Sequence, residues 1–135
     1  MHVADILRNK SPRTVAIAWN ETVGVAAGLM RASNVGALVV RNAAEAVIGM
    51  FSERDVVAVI AERGASGLSS KVSQFISARP LVSCRSQDRL AYVERLMICH
   101  QIRHVPVIDN GRLVGVVSKR DIAFACDGAG AVRAA

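Results

Sequence analysis

Aromatic side chains make up only 4% of this 135-residue chain. An aromatic-filled sandwich is therefore excluded, and the core must be built from Val, Ala, Ile and Leu, which suit strands and close helix packing. Long apolar runs are also missing: the longest stretches without a charged residue, Thr22 to Met30 and Ala32 to Val40, are nine positions each. A membrane-spanning helix needs about 18. The positive mean hydropathy of +0.33 thus reads as burial in protein. The first residues, Met1 to Arg8, lack the apolar core of a secretory signal, so the expectation is a cytoplasmic protein with no membrane association.

Cysteine is scarce and odd in number. Cys84, Cys99 and Cys126 are widely spaced and form no CxxC pair, which argues against a disulfide framework or zinc ribbon and for buried free thiols. Catalytic signatures are absent too: no Walker A loop, no GxGxxG, and no Ser-His-Asp or Cys-His grouping. His100 and His104 are four apart, a metal-ligand spacing on one continuous helix. Ile102 and the Val105–Val107 run place the end of the helix between them, so the expectation is no metal site and no catalytic residue.

Charge is plentiful and uneven. The chain has 17 Lys and Arg against 11 Asp and Glu, a net +6. Residues 1–67 hold seven basic and six acidic groups, residues 68–135 ten and five. The basic second half suits an anionic partner.

A repeat organises the chain. In the first copy, Thr14-Val-Ala-Ile leads through Leu29-Met30 and Val35-Gly-Ala-Leu-Val-Val40 to Val47-Ile-Gly-Met-Phe-Ser-Glu-Arg-Asp-Val56. In the second, Leu81-Val-Ser-Cys leads through Leu96-Met97 and Ile102-Arg-His-Val-Pro-Val107 to Leu113-Val-Gly-Val-Val-Ser-Lys-Arg-Asp-Ile122. The offset is 67 from Val15 to Val82 and 66 from Gly49 to Gly115, so the one-residue slip falls in the turn between the last two strands. Each copy reads as strand, helix, strand, strand, helix, with Thr22 as a helix cap and Val23, Ala26, Ala27 and Met30 at helical spacing. Asn42 to Glu45 forms the turn of the first hairpin, and Asp109-Asn110-Gly111 that of the second. Pro106 marks an edge or bulge. The boundaries expected are residues 1–64 for repeat 1, 65–70 for a Gly- and Ser-rich linker, 71–126 for repeat 2 and 127–135 for a flexible tail. Two such half-buried units should pack on each other.

The strongest chemical signal is a Ser-x-x-Asp segment at the last strand-to-helix junction of each copy: Ser52-Glu-Arg-Asp55 and Ser118-Lys-Arg-Asp121. A capping box explains such a segment without any ligand. Its repetition at a helix N-terminus favours more. Free backbone N–H groups suit an anion, and a carboxylate there can accept hydrogen bonds from a vicinal diol such as that of ribose.

Together with the leading Val3-Ala-Asp-Ile-Leu7, the Gly-Ala-Leu-Val-Val and Arg-His-Val-Pro-Val segments and the doubled Gly-hydrophobic-hydrophobic-Ser-x-x-Asp, the chain resembles a pair of cystathionine-β-synthase (CBS) domains, a Bateman module, over residues 3–126. The resemblance implies an α/β (α+β) fold of two β-α-β-β-α repeats packed with pseudo-two-fold symmetry. It implies a non-catalytic regulatory module that binds an adenosine-containing ligand (AMP, ADP, ATP or a relative) in clefts between the repeats, requires no cofactor, forms a homodimer and signals to a regulated protein. Carried over by position, Asp121 and Ser118 hold the ribose in one cleft, with Arg103, His104, Lys119 and Arg120 near the phosphates and Ala16, Val35, Gly36 and Ala37 along the adenine. Asp55, Ser52 and Arg54 serve the other cleft, bordered by Ser83 and Ile102 to His104. Because Gly36 and Ala37 stand where the second copy has Arg103 and His104, the Asp121 cleft is expected to prefer phosphorylated nucleotides. The second opening, Lys71 to Pro80, lacks the Met-Thr pair common in the family. The alternative expectation is a nucleic-acid-binding protein using the basic second repeat, although a stacking platform of aromatics is missing.

Overall fold

A computed structural model of the chain describes residues 1–10 and 14–134, with side chains described as far as Asp127. Ser11, Pro12 and Arg13, read as the lead-in to the first strand, lie outside the described residues, as do the side chains beyond Asp127. Among the described residues, six α-helices and five strands follow in chain order: α1 (Val3–Arg8), β1 (Ala16–Ala18), α2 (Val23–Ser33), β2 (Ala37–Arg41), β3 (Val47–Ser52), α3 (Glu53–Arg63), α4 (Ser73–Ile76), α5 (Leu90–His100), β4 (His104–Asp109), β5 (Arg112–Ser118) and α6 (Lys119–Ala134). A 3₁₀ helix, Gly64–Ser69, follows α3.

The repeat is legible in local geometry. α2 and α5 are each 11 residues long and each ends on a left-handed cap, Asn34 and Gln101, which are 67 positions apart. Thr22 caps α2 by accepting a hydrogen bond from the backbone N–H of Val25 at 3.2 Å. β2–β3 and β4–β5 are antiparallel hairpins, and each has a register shift at the equivalent place, Val40/Arg41 and Val107/Ile108. The shift near Pro106 agrees with the bulge expected there. Asn110 and Gly111 both have positive φ, 51° and 78°, the backbone of the tight hairpin turn that Asn-Gly predicts.

The two copies differ at their first strand. β1 pairs in parallel with β2. The corresponding segment of the second copy, expected as a strand over Leu81 to Cys84, is reduced to a single bridge from Cys84 to Val107, closed by Cys84 N–H to the Pro106 carbonyl and Ile108 N–H to the Cys84 carbonyl. Pro80 and the polar run Arg85-Ser-Gln-Asp-Arg89 after Cys84 leave little apolar surface for a longer ladder to bury. Three further expectations change. Cys84 is buried, but Cys99 and Cys126 are exposed, because both fall on the outward faces of their helices. Residues 65–70 are no bare linker: the 3₁₀ helix packs on α3, and a Cβ at buried Gly67 would lie 2.6 Å from a Val59 methyl. The backbone of α6 runs on past Cys126 to Ala134, where a flexible tail was expected.

Two compact units result, and they cut across the order of the repeat. One comprises Met1–Pro12 with Val82–Ala135, the other Arg13–Leu81. Each has its own core. Val3 and Ile6 of α1 are buried with Leu90, Val93, Met97, Val105, Val107, Val117 and Ile122 of the second copy. Val72 and Ile76, from the opening segment of the second copy, are buried with Val23, Ala26, Met30, Leu38, Val40, Phe51 and Val59 of the first. The opening segments are therefore exchanged: each completes the core of the other copy. Burying side chains of Val and Ile size contributes on the order of 1.5–3 kcal/mol each, enough to hold a short helix that could not stand alone.

Candidate functional site

Each unit carries one strand-to-helix junction built in the same way. In the first copy β3 ends at Ser52 and α3 starts at Glu53. Ser52 Oγ accepts from the backbone N–H of Asp55 at 3.4 Å, and the Asp55 carboxylate reaches back, its Oδ2 accepting from Ser52 N–H at 2.7 Å and from the Ser52 hydroxyl at 3.1 Å. In the second copy Ser118 Oγ accepts from Asp121 N–H at 3.0 Å, and Asp121 Oδ2 accepts from Ser118 N–H at 2.8 Å. Both are capping boxes in which Asp takes the usual place of Glu.

The neighbouring strand closes each junction. Ala37 pairs with Ser52 and His104 with Ser118. Glu53 N–H donates to the Gly36 carbonyl at 3.0 Å, and Lys119 N–H to the Arg103 carbonyl at 2.7 Å. The first unit thus brings together Arg103, His104, Ser118, Lys119, Arg120 and Asp121, with Arg103, Lys119 and Arg120 exposed and His104 half-buried. The second brings together Gly36, Ala37, Ser52, Arg54 and Asp55. Ala16 and Val35 also lie in the second unit, Ser83 and Ile102 in the first. Ala16 of β1 pairs with Val39 of β2, Val35 follows the α2 cap, Ile102 packs on the core, and half-buried Ser83 precedes the Cys84 bridge.

Two cations that sequence reading passed over complete the junctions. Lys10, just after α1, donates from Nζ to Asp121 Oδ2 at 2.6 Å and to the Val116 carbonyl at 2.7 Å. Arg79, after α4, donates from Nη2 to Asp55 Oδ1 at 2.7 Å. The signal was present in the sequence at an offset of 69: Val3 matches Val72, Leu7 matches Ile76 and Lys10 matches Arg79, each basic residue shortly before a proline. Without the exchanged packing, nothing along the chain connects these cations to the carboxylates.

Electrostatics follow from this arrangement. Burial pushes the Asp121 carboxyl up, but the Lys10 hydrogen bond, the Ser118 backbone N–H and the Lys10 charge outweigh it and leave the group below the usual carboxylate range. Asp121 is therefore an anion fixed at a helix N-terminus. Lys10 contacts it directly, and Lys119 and Arg120 precede it in sequence with Arg103 on the facing strand segment, whereas at the Asp55 junction Arg79 makes the contact and Glu53 and Arg54 precede the carboxylate in sequence. Carboxylates accept hydrogen bonds from hydroxyl groups and basic side chains pair with anions, and here Lys10 and Arg79 already hold the two carboxylates. Among the described residues no group of three or more His, Cys, Asp or Glu is placed to hold a metal ion, and α5 ends at His100, so His100 and His104 do not share a helix face. No helix among the described residues is long and apolar enough to cross a membrane.

The CBS domain family model matches residues 3–62 and 72–128. The chain belongs to the CBS domain family and carries two copies of that domain. It is 35% identical over 112 residues to the CBS domain-containing protein YhcV of Bacillus subtilis, covering 82% of this chain and 77% of that one. The solved structure of a CBS-domain containing protein from Agrobacterium tumefaciens is 35% identical, with a TM-score of 0.85 and 92% of each chain covered. A CBS domain protein from Pyrobaculum aerophilum, solved in complex with AMP, is 28% identical with a TM-score of 0.79, again over 92% of each chain. The chain spans between 52% and 77% of the length of four curated relatives that it matches.

Proposed function

We propose that this CBS pair is a non-catalytic regulatory module that binds an adenosine-containing ligand such as AMP, ADP or ATP at its Ser-x-x-Asp junctions. It acts as a homodimer in the cytoplasm and signals to a regulated protein by a change of conformation. The observation that carries the reading is the Asp121 carboxylate, ionised, fixed by the Ser118 cap and paired with Lys10. A vicinal diol offers two donors to such a carboxylate, and the adjoining basic residues and helix N-terminus suit phosphate. The AMP complex of the 28%-identical relative supports adenosine chemistry.

The two junctions are not equal. Glu53 and the uncharged Gly36 and Ala37 stand where the second copy has Lys119, Arg103 and His104, so the Asp121 junction takes the more highly phosphorylated ligand. Calorimetric titration of AMP and ATP into the wild type and Asp121→Ala tests the reading. Loss of a charge-assisted acceptor predicts weakening by about tenfold or more. Unchanged affinity rejects the assignment. Tight, salt-dependent binding of single-stranded RNA without any nucleotide binding would replace it with a nucleic-acid role for the basic second repeat.

A further inference from the structure

Lys10 and Arg79 occupy the very carboxylates that a ribose would need. Lys10 shares Asp121 Oδ2 with the cap N–H, and Arg79 takes Asp55 Oδ1 while the cap takes Oδ2, so both oxygens of Asp55 are engaged. The pairs are half-sheltered: the Asp121 and Asp55 side chains are 22% and 18% exposed, Lys10 and Arg79 30% and 44%. A diol that hydrogen-bonds to either carboxylate competes with a cation already there.

We infer that Lys10 and Arg79 determine specificity by charge exchange, admitting ligands that carry both a vicinal diol and an anion. This rests on the junctions being ribose sites. A neutral nucleoside must break the ion pair and leave a lysine or arginine without its counter-ion in a partly desolvated place, which costs binding energy. A nucleotide breaks the same pair but brings phosphate, to which the displaced side chain swings on its flexible stem, so one ion pair replaces another. The two junctions use different cations. Lys10 is a point charge also tied to the Val116 carbonyl, and Arg79 a planar fork that donates to Asp55 Oδ1. A purely structural ion pair would behave differently: its removal would loosen the junction and weaken every ligand.

The test is calorimetric titration of AMP and of adenosine, reading one junction at a time. Lys10→Met is placed in an Asp55→Ala background and Arg79→Met in an Asp121→Ala background, each against its background alone. The backgrounds should prefer AMP to adenosine, and the methionine variants should bind adenosine more tightly, cutting that preference by about fivefold or more, in line with a partly exposed ion pair. Lys10→Arg should keep the preference. If thermal unfolding shows that a methionine variant fails to fold, Lys10→Gln and Arg79→Gln, which keep a hydrogen-bond donor without the charge, are read the same way. Adenosine binding that stays the same or weakens in the neutral variants overturns charge exchange while leaving the ribose sites in place. Failure of both AMP and adenosine to bind the wild type overturns both.

Discussion

Leu7 of α1 lies directly over Gly115 of β5: a Cβ built on that glycine would fall 2.8 Å from the Leu7 Cδ2 methyl. Its counterpart in the other unit is looser, since a Cβ on Gly49 would meet Ile76 at 3.6 and 3.7 Å, ordinary contact distances. These two contacts are where each exchanged opening segment seats on the last strand of the other copy. The pairs are separated by 108 and 27 residues along the chain, and their chemistry is the same. The closer approach at Gly115 brings the segment carrying Lys10 within reach of Asp121.

Substitution at the two glycines should separate them. Gly115→Ala is expected to destabilise the protein by about 1 kcal/mol, because the Cδ2 methyl of partly buried Leu7 must move aside. Gly49→Ala is expected to be near neutral or slightly stabilising, as a fitting side chain restricts the unfolded chain. Urea unfolding of both variants gives the two values, and equal destabilisation would contradict the packing difference.

Both serine caps should contribute to stability. Ser118→Ala removes a 3.0 Å bond to Asp121 N–H, and Ser52→Ala removes a longer 3.4 Å bond to Asp55 N–H together with the hydroxyl's 3.1 Å bond to Asp55 Oδ2, so each is expected to cost about 1 kcal/mol. Thermal unfolding at neutral pH gives the two values, and no loss in either variant would contradict the capping role.

Acid should erase the contribution of Asp121. Its folded pKa lies below the unfolded value of about 3.9, so its stabilisation is present above that pH and is lost as pH falls through the folded pKa. The stability gap between the wild type and Asp121→Asn is therefore expected at pH 7 and should close progressively below about pH 4. A gap that persists unchanged into acid would show that the carboxylate charge is not its source.

The three thiols should titrate in two classes. Burial, with Asp88 and Asp109 nearby, pushes the Cys84 thiol up to about 12, while Cys99 and Cys126 are exposed. An aromatic disulfide reagent at pH 8 should label two thiols per chain promptly and the third only after unfolding. Prompt labelling of all three would place Cys84 at the surface.

Local chemistry made much of this protein readable in advance. The repeat, the order of strands and helices and the Asn110-Gly111 turn depend on side-chain period, turn residues and contacts a few positions apart, all written along the chain. So did the Ser-x-x-Asp boxes, which close over three residues. The same reasoning failed where a segment had little apolar surface of its own: the expected strand at Leu81 to Cys84 is a lone bridge. It also misplaced Cys99 and Cys126, whose helix faces depend on what packs against them.

By itself the sequence determined that the chain is two copies of one unit, each ending its last strand in a serine that caps the next helix beside an aspartate. Only the tertiary structure decided which opening segment completes which copy, and so that Lys10 meets Asp121 across 111 positions and Arg79 meets Asp55 across 24. The physical reason is that two similar sheets present similar apolar faces to two similar short helices. No local rule distinguishes one match from the other, and the choice falls to side-chain fit, Leu7 on Gly115 and Ile76 on Gly49, in cores that form only when distant segments meet.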